Sequence, residues 1–247
     1  MNSIQQATEN EDGFLVFNLG QLYGDLLNAF LTHASQQIGE GAASLCQFND
    51  WVNLLNNFER IKPKSARLFP VEIAGPLAGK ILNFLPFKIP EAAFISDEEK
   101  LGFPNIYWRC VRSNAASDVW GLHADRWFWE IGEASLATDW QRVKIWLPLQ
   151  QPQNESGLWI LPGSHKNHYD YDVIKGSDGK LRPKLADKIA RPSLVPAEVK
   201  VGQAIVFNDN LLHSGVSVGG LRLSVEFTLA LKPLSIAGHN HVLSEPK

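Results

Sequence analysis

Residues 221–231 read LRLSVEFTLAL, and every second residue of this run is apolar. Such an alternation is typical of a β-strand with one buried face, because successive side chains point to opposite sides of a sheet. The other face carries Arg222, Ser224 and Glu226. Residues 142–149, RVKIWLPL, alternate in the same way. Shorter apolar runs predict three further strands, at residues 106–112, 158–161 and 204–207.

These short strands are joined by loops rich in Gly, Pro, Asn and Ser. The pattern favours a β-sandwich or barrel, although alternation alone does not distinguish a jelly roll from another sandwich. The first hundred residues are helical in character instead, with apolar residues at helical spacing over residues 19–38. Further helical segments are predicted at residues 49–58 and within 65–85, where Pro70 and Pro76 would interrupt the helix, and as a single turn at 96–101. Residues 1–12 are predicted to be frayed.

We expect one domain over residues 1–247, in which a helical buttress packs on one sheet of a β-rich core. The segment 165–196 is long, charged and interrupted by prolines. Connections of that length in compact domains are usually functional or disordered. The predicted parts are a mostly helical buttress at 1–103, the core at 104–232, an insertion or lid within the core at 165–196, and a tail at 233–247.

The composition excludes several classes of protein. The chain has 247 residues, of which 45% are hydrophobic and 20% charged, with a formal net charge of −3, as in ordinary soluble proteins. It lacks the basic excess of nucleic-acid binders, and no apolar run is long enough to span a bilayer. Cys46 and Cys110 are interpreted as reduced thiols of a cytoplasmic protein. The oligomeric state stays open.

Two histidines and one aspartate form a candidate metal site. His123 lies in GLHADRW, and Asp125 follows two residues later. In an extended segment such residues point the same way, so an imidazole and a carboxylate reach a common point. His213, ninety positions later, supplies a second imidazole. Two histidines and one carboxylate make the facial triad of non-haem Fe(II), which leaves metal positions open for a co-substrate and dioxygen.

An H-x-D pair arises often by chance, so the residues after His213 matter. Nine positions later, Arg222 interrupts a strand otherwise built of Leu, Val and Phe. A buried arginine is costly unless it is paired, and Glu226 on the same face is one candidate partner. The alternative is an incoming carboxylate, which the guanidinium binds as a fork and the Ser224 hydroxyl also contacts. This arrangement predicts a dicarboxylate held between a metal and Arg222.

Three sequence blocks resemble the phytanoyl-CoA dioxygenase family of Fe(II)- and 2-oxoglutarate-dependent oxygenases. The resemblance spans roughly residues 105–231. The blocks are HAD at 123–125, SGLWILPGSHK at 156–166 and HSGVSVGGLRLS at 213–224. The middle block is similar to the family's N-G-x-L-x-x-x-P-G-S-H turn, with Ser156 where the family usually has Asn. His165 in this turn is expected to be structural and not a metal ligand.

The resemblance implies a double-stranded β-helix, or jelly-roll, core with N-terminal helices against the major sheet. It implies that His123, Asp125 and His213 bind Fe(II), and that Arg222, supported by Ser224, binds the C5 carboxylate of 2-oxoglutarate. Related halogenases lack the carboxylate ligand, so the presence of Asp125 favours hydroxylation or another oxidation.

The implied reaction consumes 2-oxoglutarate and O2, oxidises a small-molecule substrate and releases succinate and CO2. Asn208 and Asp209 are candidates for hydrogen bonds that orient the ligand imidazoles. Aromatic and basic residues near the predicted site suggest a polar or anionic substrate. The candidate substrate contacts are Arg109, Trp127, Trp129, Lys144, Trp146 and Trp159.

Two other functions fit the same fold. The first is a non-catalytic jelly-roll binding protein, which predicts damaged ligand positions; none is visible in the sequence. The second is a cupin-type metal enzyme that uses zinc or manganese without 2-oxoglutarate. Such an enzyme would not need Arg222 and Ser224 at this offset from His213. Dependence of turnover on 2-oxoglutarate distinguishes the cupin-type enzyme from the oxygenase. For the oxygenase, the sequence leaves open whether the oxidised product is an alcohol, a desaturated compound or a rearranged one.

Overall fold

A computed structural model of the protein describes residues 3–38, 67–113, 118–132, 140–176, 179–186 and 193–231. The predicted helix at 49–58, Cys46 and the predicted tail at 233–247 lie outside these residues. The helices are α1 (Ile4–Thr8), α2 (Gln21–Ile38), α3 (Val71–Phe84) and α4 (Arg126–Glu130). The strands are β1 (Phe14–Asn18), β2 (Phe94–Ile95), β3 (Tyr107–Val111), β4 (Gln141–Gln150), β5 (Leu158–Ile160), β6 (Tyr171–Lys175), β7 (Leu181–Leu185), β8 (Val195–Pro196), β9 (Gln203–Asn208), β10 (His213–Gly215) and β11 (Arg222–Leu231).

The strands form two antiparallel sheets and a separate hairpin. The larger sheet has the order β1-β9-β4-β11-β2, and β3 also pairs with β11. The smaller sheet has the order β10-β5-β8, and β6 pairs only with β7 among the described strands. Neighbours in the sheets are far apart in sequence, as in a jelly roll. The predicted β-rich core is confirmed.

The N-terminal helices cover the outer face of the larger sheet. Val143, Ile145 and Leu147 of β4 are buried with apolar residues of α2 and α3 in one core cluster. The alternate residues of β4, Lys144 and Trp146, point to the inner face of the sheet. The alternation read from the sequence therefore separates a helix-covered face from a face that lines the interior.

Residues 3–12 pack against the core, and the prediction that they are frayed is wrong. Ser3 and Gln6 form a capping box at the start of α1, in which each side chain accepts a hydrogen bond from the other residue's backbone. Ile4 is fully buried in the main core cluster. Strand β1 then pairs with β9 at the edge of the larger sheet. A five-residue helix and an edge strand are too short to show a clear period in sequence.

Two smaller expectations also need correction. The predicted helical turn at 96–101 is a non-helical turn, because the Asp97 carboxylate accepts hydrogen bonds from the backbone N–H groups of Leu101 and Gly102 at 2.8 and 2.6 Å. Helix α3 begins after Pro70 and continues through Pro76, which the sequence suggested would interrupt it. In the described part of the chain, no helix is both long and apolar enough to cross a membrane.

Hairpin β6–β7 belongs to the segment 165–196 and lies over one end of the core. The backbone N–H of Leu185 donates to the carbonyl of Leu122 at 2.8 Å. The Trp120 indole donates to the carbonyl of Pro183 at 2.9 Å. These contacts tie the hairpin to the loop before His123.

Candidate metal centre

A cavity of about 370 Å³ lies on the inner face of the larger sheet. One wall of the cavity is formed by side chains from β3, β4, β9 and β11. The rest of the cavity is lined by residues of β5 and β10 and of strand β7 in the hairpin. His123, Asp125 and His213 all line this cavity. The three candidate ligands thus share one enclosed space.

The two histidines are brought together by the backbone. The N–H of His123 donates to the carbonyl of His213 at 3.0 Å, and the N–H of His213 donates to that of His123 at 2.9 Å. This reciprocal pairing is an isolated antiparallel bridge, in which opposed side chains lie on the same side. The centroids of the two rings are 4.4 Å apart. The fold therefore places two histidines that are ninety residues apart in sequence next to each other.

Backbone carbonyls fix the orientation of both rings. Nδ1 of His123 lies 2.7 Å from the carbonyl oxygen of Gly121, and Nδ1 of His213 lies 2.9 Å from that of Leu211. A carbonyl only accepts, so each Nδ1 carries the proton and each Nε2 keeps a free lone pair. Both Nε2 atoms face Asp125. The backbone carbonyls of Gly121 and Leu211, and not Asn208 and Asp209 as predicted, therefore orient the two imidazoles.

Asp209 and Asn208 have other partners. The Asp209 carboxylate lies 3.6 Å from the buried guanidinium of Arg142, and its backbone carbonyl accepts from the N–H of Arg126 at 2.9 Å. Asn208 Oδ1 accepts from the N–H of Asn210 at 3.0 Å. These contacts hold the turn between β9 and His213.

Asp125 lies where the chain turns from the histidine bridge into α4. An aspartate at this N-cap position commonly accepts a hydrogen bond from the first turn of its own helix. The Asp125 side chain makes no such bond. Its Oδ1 lies 3.7 Å from Nε2 of His123 and 3.8 Å from Nε2 of His213. The carboxylate is turned toward the imidazoles.

One ligand atom from each of His123, Asp125 and His213 can be chosen so that all lie within 4.8 Å of one another. Burial, followed by the nearby His213, lowers the pKa of His123 to about 3, so this imidazole is neutral at physiological pH. Burial alone would raise the pKa of Asp125, but Lys144 and the two histidines hold it below its ordinary value. Two imidazoles and one carboxylate match the ligand pattern of the non-haem iron facial triad.

Lys144 adds a buried cation beside this group. Its Nζ lies 4.0 Å from Asp125 Oδ2 and 4.0 Å from Glu98 Oε1. Burial alone would lower the pKa of the ammonium, but Glu98, Asp125 and Glu226 raise it above its ordinary value. Lys144 is therefore charged, and its charge helps to keep Asp125 ionised.

Arg222 points into the cavity from β11 and is 1% exposed. Its Nη1 donates a hydrogen bond to the carbonyl oxygen of Gly157, and its guanidinium lies 5.8 Å from the Trp146 ring centroid. Burial, and after it the nearby Arg109, lowers its pKa to about 10, so the group is charged at neutral pH. Arg222 Nε and the buried hydroxyl of Ser224 have no hydrogen-bond partner among the described residues.

Glu226 forms its ion pair with Arg109 and not with Arg222. It lies 3.0 Å from Nε of Arg109, on the neighbouring strand β3. The candidate partner that the sequence offered for Arg222 is therefore engaged elsewhere. This pairing leaves the fork of Arg222 directed at the cavity.

The six candidate substrate contacts separate into two groups. Arg109, Trp129, Lys144 and Trp146 line the cavity, whereas Trp127 and Trp159 do not. Trp127 is buried on the other side of α4, where its ring stacks on Tyr171 with centroids 4.9 Å apart. Trp159 points away from the core on β5 and is 37% exposed. Neither tryptophan is therefore a substrate contact, as the sequence had suggested: Trp127 packs in the core and Trp159 lies at the surface.

Other residues line the cavity without having been predicted to do so. Trp120 lies three residues before His123 but outside the motif, and Arg182 belongs to the charged segment 165–196. The arginine at 67 is preceded by residues outside the described part, and no motif marks it. The further unpredicted lining side chains include Glu98, Glu99, Tyr107, Phe128, Lys180 and Phe207.

The P-G-S-H turn supports the strand before His213. Ser164 is buried, and its hydroxyl accepts a hydrogen bond from the N–H of Leu212 at 2.9 Å. His165 packs against Gly13, where a Cβ would overlap the imidazole ring. Because Gly163 also donates to the carbonyl of Asp12 at 2.9 Å, the turn ties the N-terminal segment to the site. This position agrees with a structural role for His165.

A comparison with family models identifies the same region of the chain. Residues 100–217 match the model described as Phytanoyl-CoA dioxygenase (PhyH). Over this segment, just under half of the chain, the protein is similar to the PhyH family. The matched segment contains His123, Asp125 and His213 and ends before Arg222 and Ser224. A comparison with curated proteins finds no sequence match.

Solved structures share the fold of this PhyH-like chain at low sequence identity. EvdMO1 is 18% identical with a TM-score of 0.52, and the match covers 94% of this chain but only 50% of EvdMO1. EvdO2 from Micromonospora carbonacea var. aurantiaca is 16% identical with a TM-score of 0.50, covering 96% and 94% of the two chains. EctD from S. alaskensis, solved with 2-oxoglutarate and 5-hydroxyectoine, is 14% identical with a TM-score of 0.53, covering 94% and 76%. The jelly-roll fold is confirmed.

Proposed function

We propose that this PhyH-like chain is an Fe(II)- and 2-oxoglutarate-dependent oxygenase that hydroxylates a small polar or anionic molecule. The observation that carries the proposal is that one cavity holds both a facial triad and a buried arginine fork. Its supports are the family match and the solved EctD structures, of which one contains iron and another 2-oxoglutarate. We further propose that residues 1–247 act as a single domain with the site in its core.

The polar atoms of the cavity fit these groups. Asp125 Oδ2, Arg222 Nε and Ser224 Oγ are buried and have no hydrogen-bond partner among the described residues. A buried polar atom left without a partner costs about 1–3 kcal/mol. A metal at His123, Asp125 and His213, and a carboxylate at Arg222 and Ser224, would satisfy this demand. A dicarboxylate that reaches both ends has the chemistry of 2-oxoglutarate.

In this proposal, each residue has a defined role. His123, Asp125 and His213 hold the metal, and the carbonyls behind the imidazoles keep both Nε2 atoms directed at it. Arg222, with Ser224, binds and orients the C5 carboxylate of 2-oxoglutarate. Buried aromatic rings such as Trp146 exclude water from the reacting groups.

The bound Fe(II), with 2-oxoglutarate and dioxygen, supplies the oxidising chemistry. One oxygen atom of O2 enters a C–H bond of the substrate and the other enters succinate, while one carbon leaves as CO2. The protein contributes the orientation of the substrate beside these groups.

A visible spectrum recorded without oxygen tests the proposal. Metal-free protein is given Fe(II) and 2-oxoglutarate, and the expected result is a weak charge-transfer band in the wild type. His213→Ala should abolish the band, and Arg222→Ala should require far more 2-oxoglutarate to develop it. His168→Ala is a matched control because the His168 side chain is 90% exposed, and it should leave the band unchanged.

The negative outcomes separate the other functions. Normal metal binding without a band would contradict the 2-oxoglutarate assignment and favour a cupin-type metal enzyme. Absence of both metal binding and the band would favour a non-catalytic binding protein.

A further inference from the structure

The cavity carries an excess of positive charge. Among the described residues that line it, six side chains are cationic and four are anionic, an excess of two. Fe(II) and 2-oxoglutarate carry charges of +2 and −2, so binding both leaves this excess unchanged. The cations are Arg67, Arg109, Lys144, Lys180, Arg182 and Arg222.

The carboxylates of the cavity already have partners. Glu98 accepts a hydrogen bond from the Thr228 hydroxyl and faces Lys144. Glu99 accepts from the Tyr107 hydroxyl at 3.2 Å and lies 3.6 Å from Lys180 Nζ. Glu226 is paired with Arg109, and Asp125 faces the two histidines as a ligand of the proposed metal. The described wall therefore leaves no carboxylate to bind a cationic substrate.

Three arginines of the cavity lining are close enough to interact electrostatically. Arg109 extends from β3, Arg182 extends from β7, and Arg67 lies next to Leu68, which bridges to β3. Burial, followed by repulsion from Arg109, lowers the pKa of Arg67 to about 10, and Arg182 acts in the same direction. Glu226, which is paired with Arg109, raises the pKa of Arg67, so these three guanidinium groups share one carboxylate and two positive charges are left over.

Two of these arginines are distinguished by their surroundings. Arg67 Nε is buried and has no hydrogen-bond partner in the described part of the chain. Arg182 lies over the Trp120 ring, 5.5 Å from its centroid, and Trp120 is fixed by its bond to Pro183. Stacking on the ring orients the Arg182 guanidinium, and Arg67 brings an unsatisfied buried donor to the same group of charges.

We infer that Arg67, Arg109 and Arg182 form a binding site for a doubly charged oxyanion group of the substrate, either a phosphate monoester or a pair of carboxylates. The excess of two positive charges matches the charge of such a group at pH 7. This inference rests on the proposed oxygenase function, because it names the class of molecule that is oxidised. The site is distinct from Arg222, which is reserved for 2-oxoglutarate.

Calorimetric titration tests this site directly. The wild type and the Arg222→Gln variant are each titrated with methyl phosphate, malonate, acetate or methylammonium, so that binding at Arg222 is separated from binding at the proposed site. We expect methyl phosphate or malonate to bind at least tenfold more tightly than acetate, and methylammonium not to bind. The tighter of the two dianions identifies the group.

Three variants locate the bound anion. Arg182→Gln and Arg67→Gln should each weaken dianion binding about tenfold or more. Lys175→Gln should not, because Lys175 lies on the same hairpin but is exposed and does not line the cavity. Arg182 is at a hairpin, so its variant decides the question even if Arg67→Gln does not fold.

Other outcomes would overturn the inference. They are tighter binding of methylammonium, no binding of either dianion, equal affinity in the Arg182→Gln variant, or loss of dianion binding only in Arg222→Gln. The titration needs neither iron nor oxygen. Failure here with an intact charge-transfer band would reject the oxyanion site alone, whereas dianion binding without the band would reject the oxygenase function alone.

Discussion

Arg222 has the largest fully buried side chain of the described residues, and Gly157 makes room for it. A Cβ at Gly157 would overlap Cδ of Arg222 and lie 2.7 Å from its Nη1. The Gly157 carbonyl also accepts a hydrogen bond from the same guanidinium. We predict that Gly157→Ala displaces Arg222 and weakens 2-oxoglutarate binding at least tenfold, equivalent to about 1.4 kcal/mol. Titration of the Fe(II) protein without oxygen measures this.

Gly79→Ala provides the matched control. Gly79 lies in helix α3, and a Cβ there meets no atom within 4 Å. This variant should bind 2-oxoglutarate as the wild type does and gain up to about 1 kcal/mol of stability from helix propensity. Equal affinity in both glycine variants would show that Gly157 does not position Arg222.

Asp209 gives a prediction about pH. Burial raises its pKa to about 6 despite Arg126 and Arg142, compared with 3.8 for an ordinary aspartate. Between these values the folded state holds a proton that the unfolded state has lost, so this residue's contribution to stability falls as pH rises from about 4 to 6. In Asp209→Asn this contribution is absent.

Urea denaturation of both proteins across this range measures the effect. The free energy of unfolding of the wild type minus that of Asp209→Asn should decrease with rising pH, by at most about 1.4 kcal/mol per pH unit. The cost of leaving Arg142 with a neutral amide shifts the difference at all pH values alike. A difference that is flat, or that rises with pH, would contradict the raised pKa.

At the level of elements, alternation predicted the long strands and helical spacing predicted α2. Strands β4 and β11 could be predicted because one face meets helices and the other meets the cavity, so the two faces differ in composition. Helix α1 and strand β1 could not, because their order comes from contacts with distant residues. The turn at 96–101 resembles a helical turn in sequence, but its backbone N–H groups are bound by the Asp97 carboxylate and not by helical carbonyls.

Helix α1 is expected to contribute substantially to stability despite its length. Ile4 is fully buried, and its N–H donates to the carbonyl of Lys88 at 3.2 Å. Ile4→Ala should lower the free energy of unfolding by about 2–5 kcal/mol, the usual range for such a core truncation. Leu15→Ala, at a position 37% exposed, is the control and should cost much less. Equal small losses in urea denaturation would return the N-terminus to the frayed state predicted from sequence.

At the level of the whole molecule, the sequence predicts the chemistry of the site better than its walls. His123, Asp125, His213 and Arg222 were selected because their residue types and spacing suit one reaction, and the fold brings them to one cavity. The residues that would bind a substrate come from separate parts of the chain with no local motif. Arg182 reaches the cavity only because the hairpin folds back over it, and Trp127 turns away because α4 buries its other face.

A crystal structure of the protein, grown without oxygen in the presence of Fe(II) and 2-oxoglutarate, would show directly whether the cavity holds both groups. Anomalous scattering would locate the iron. We predict one iron atom bound by Nε2 of His123, Nε2 of His213 and a carboxylate oxygen of Asp125, with the C5 carboxylate of 2-oxoglutarate on Arg222. Iron at any other place, or 2-oxoglutarate bound away from Arg222, would contradict this prediction.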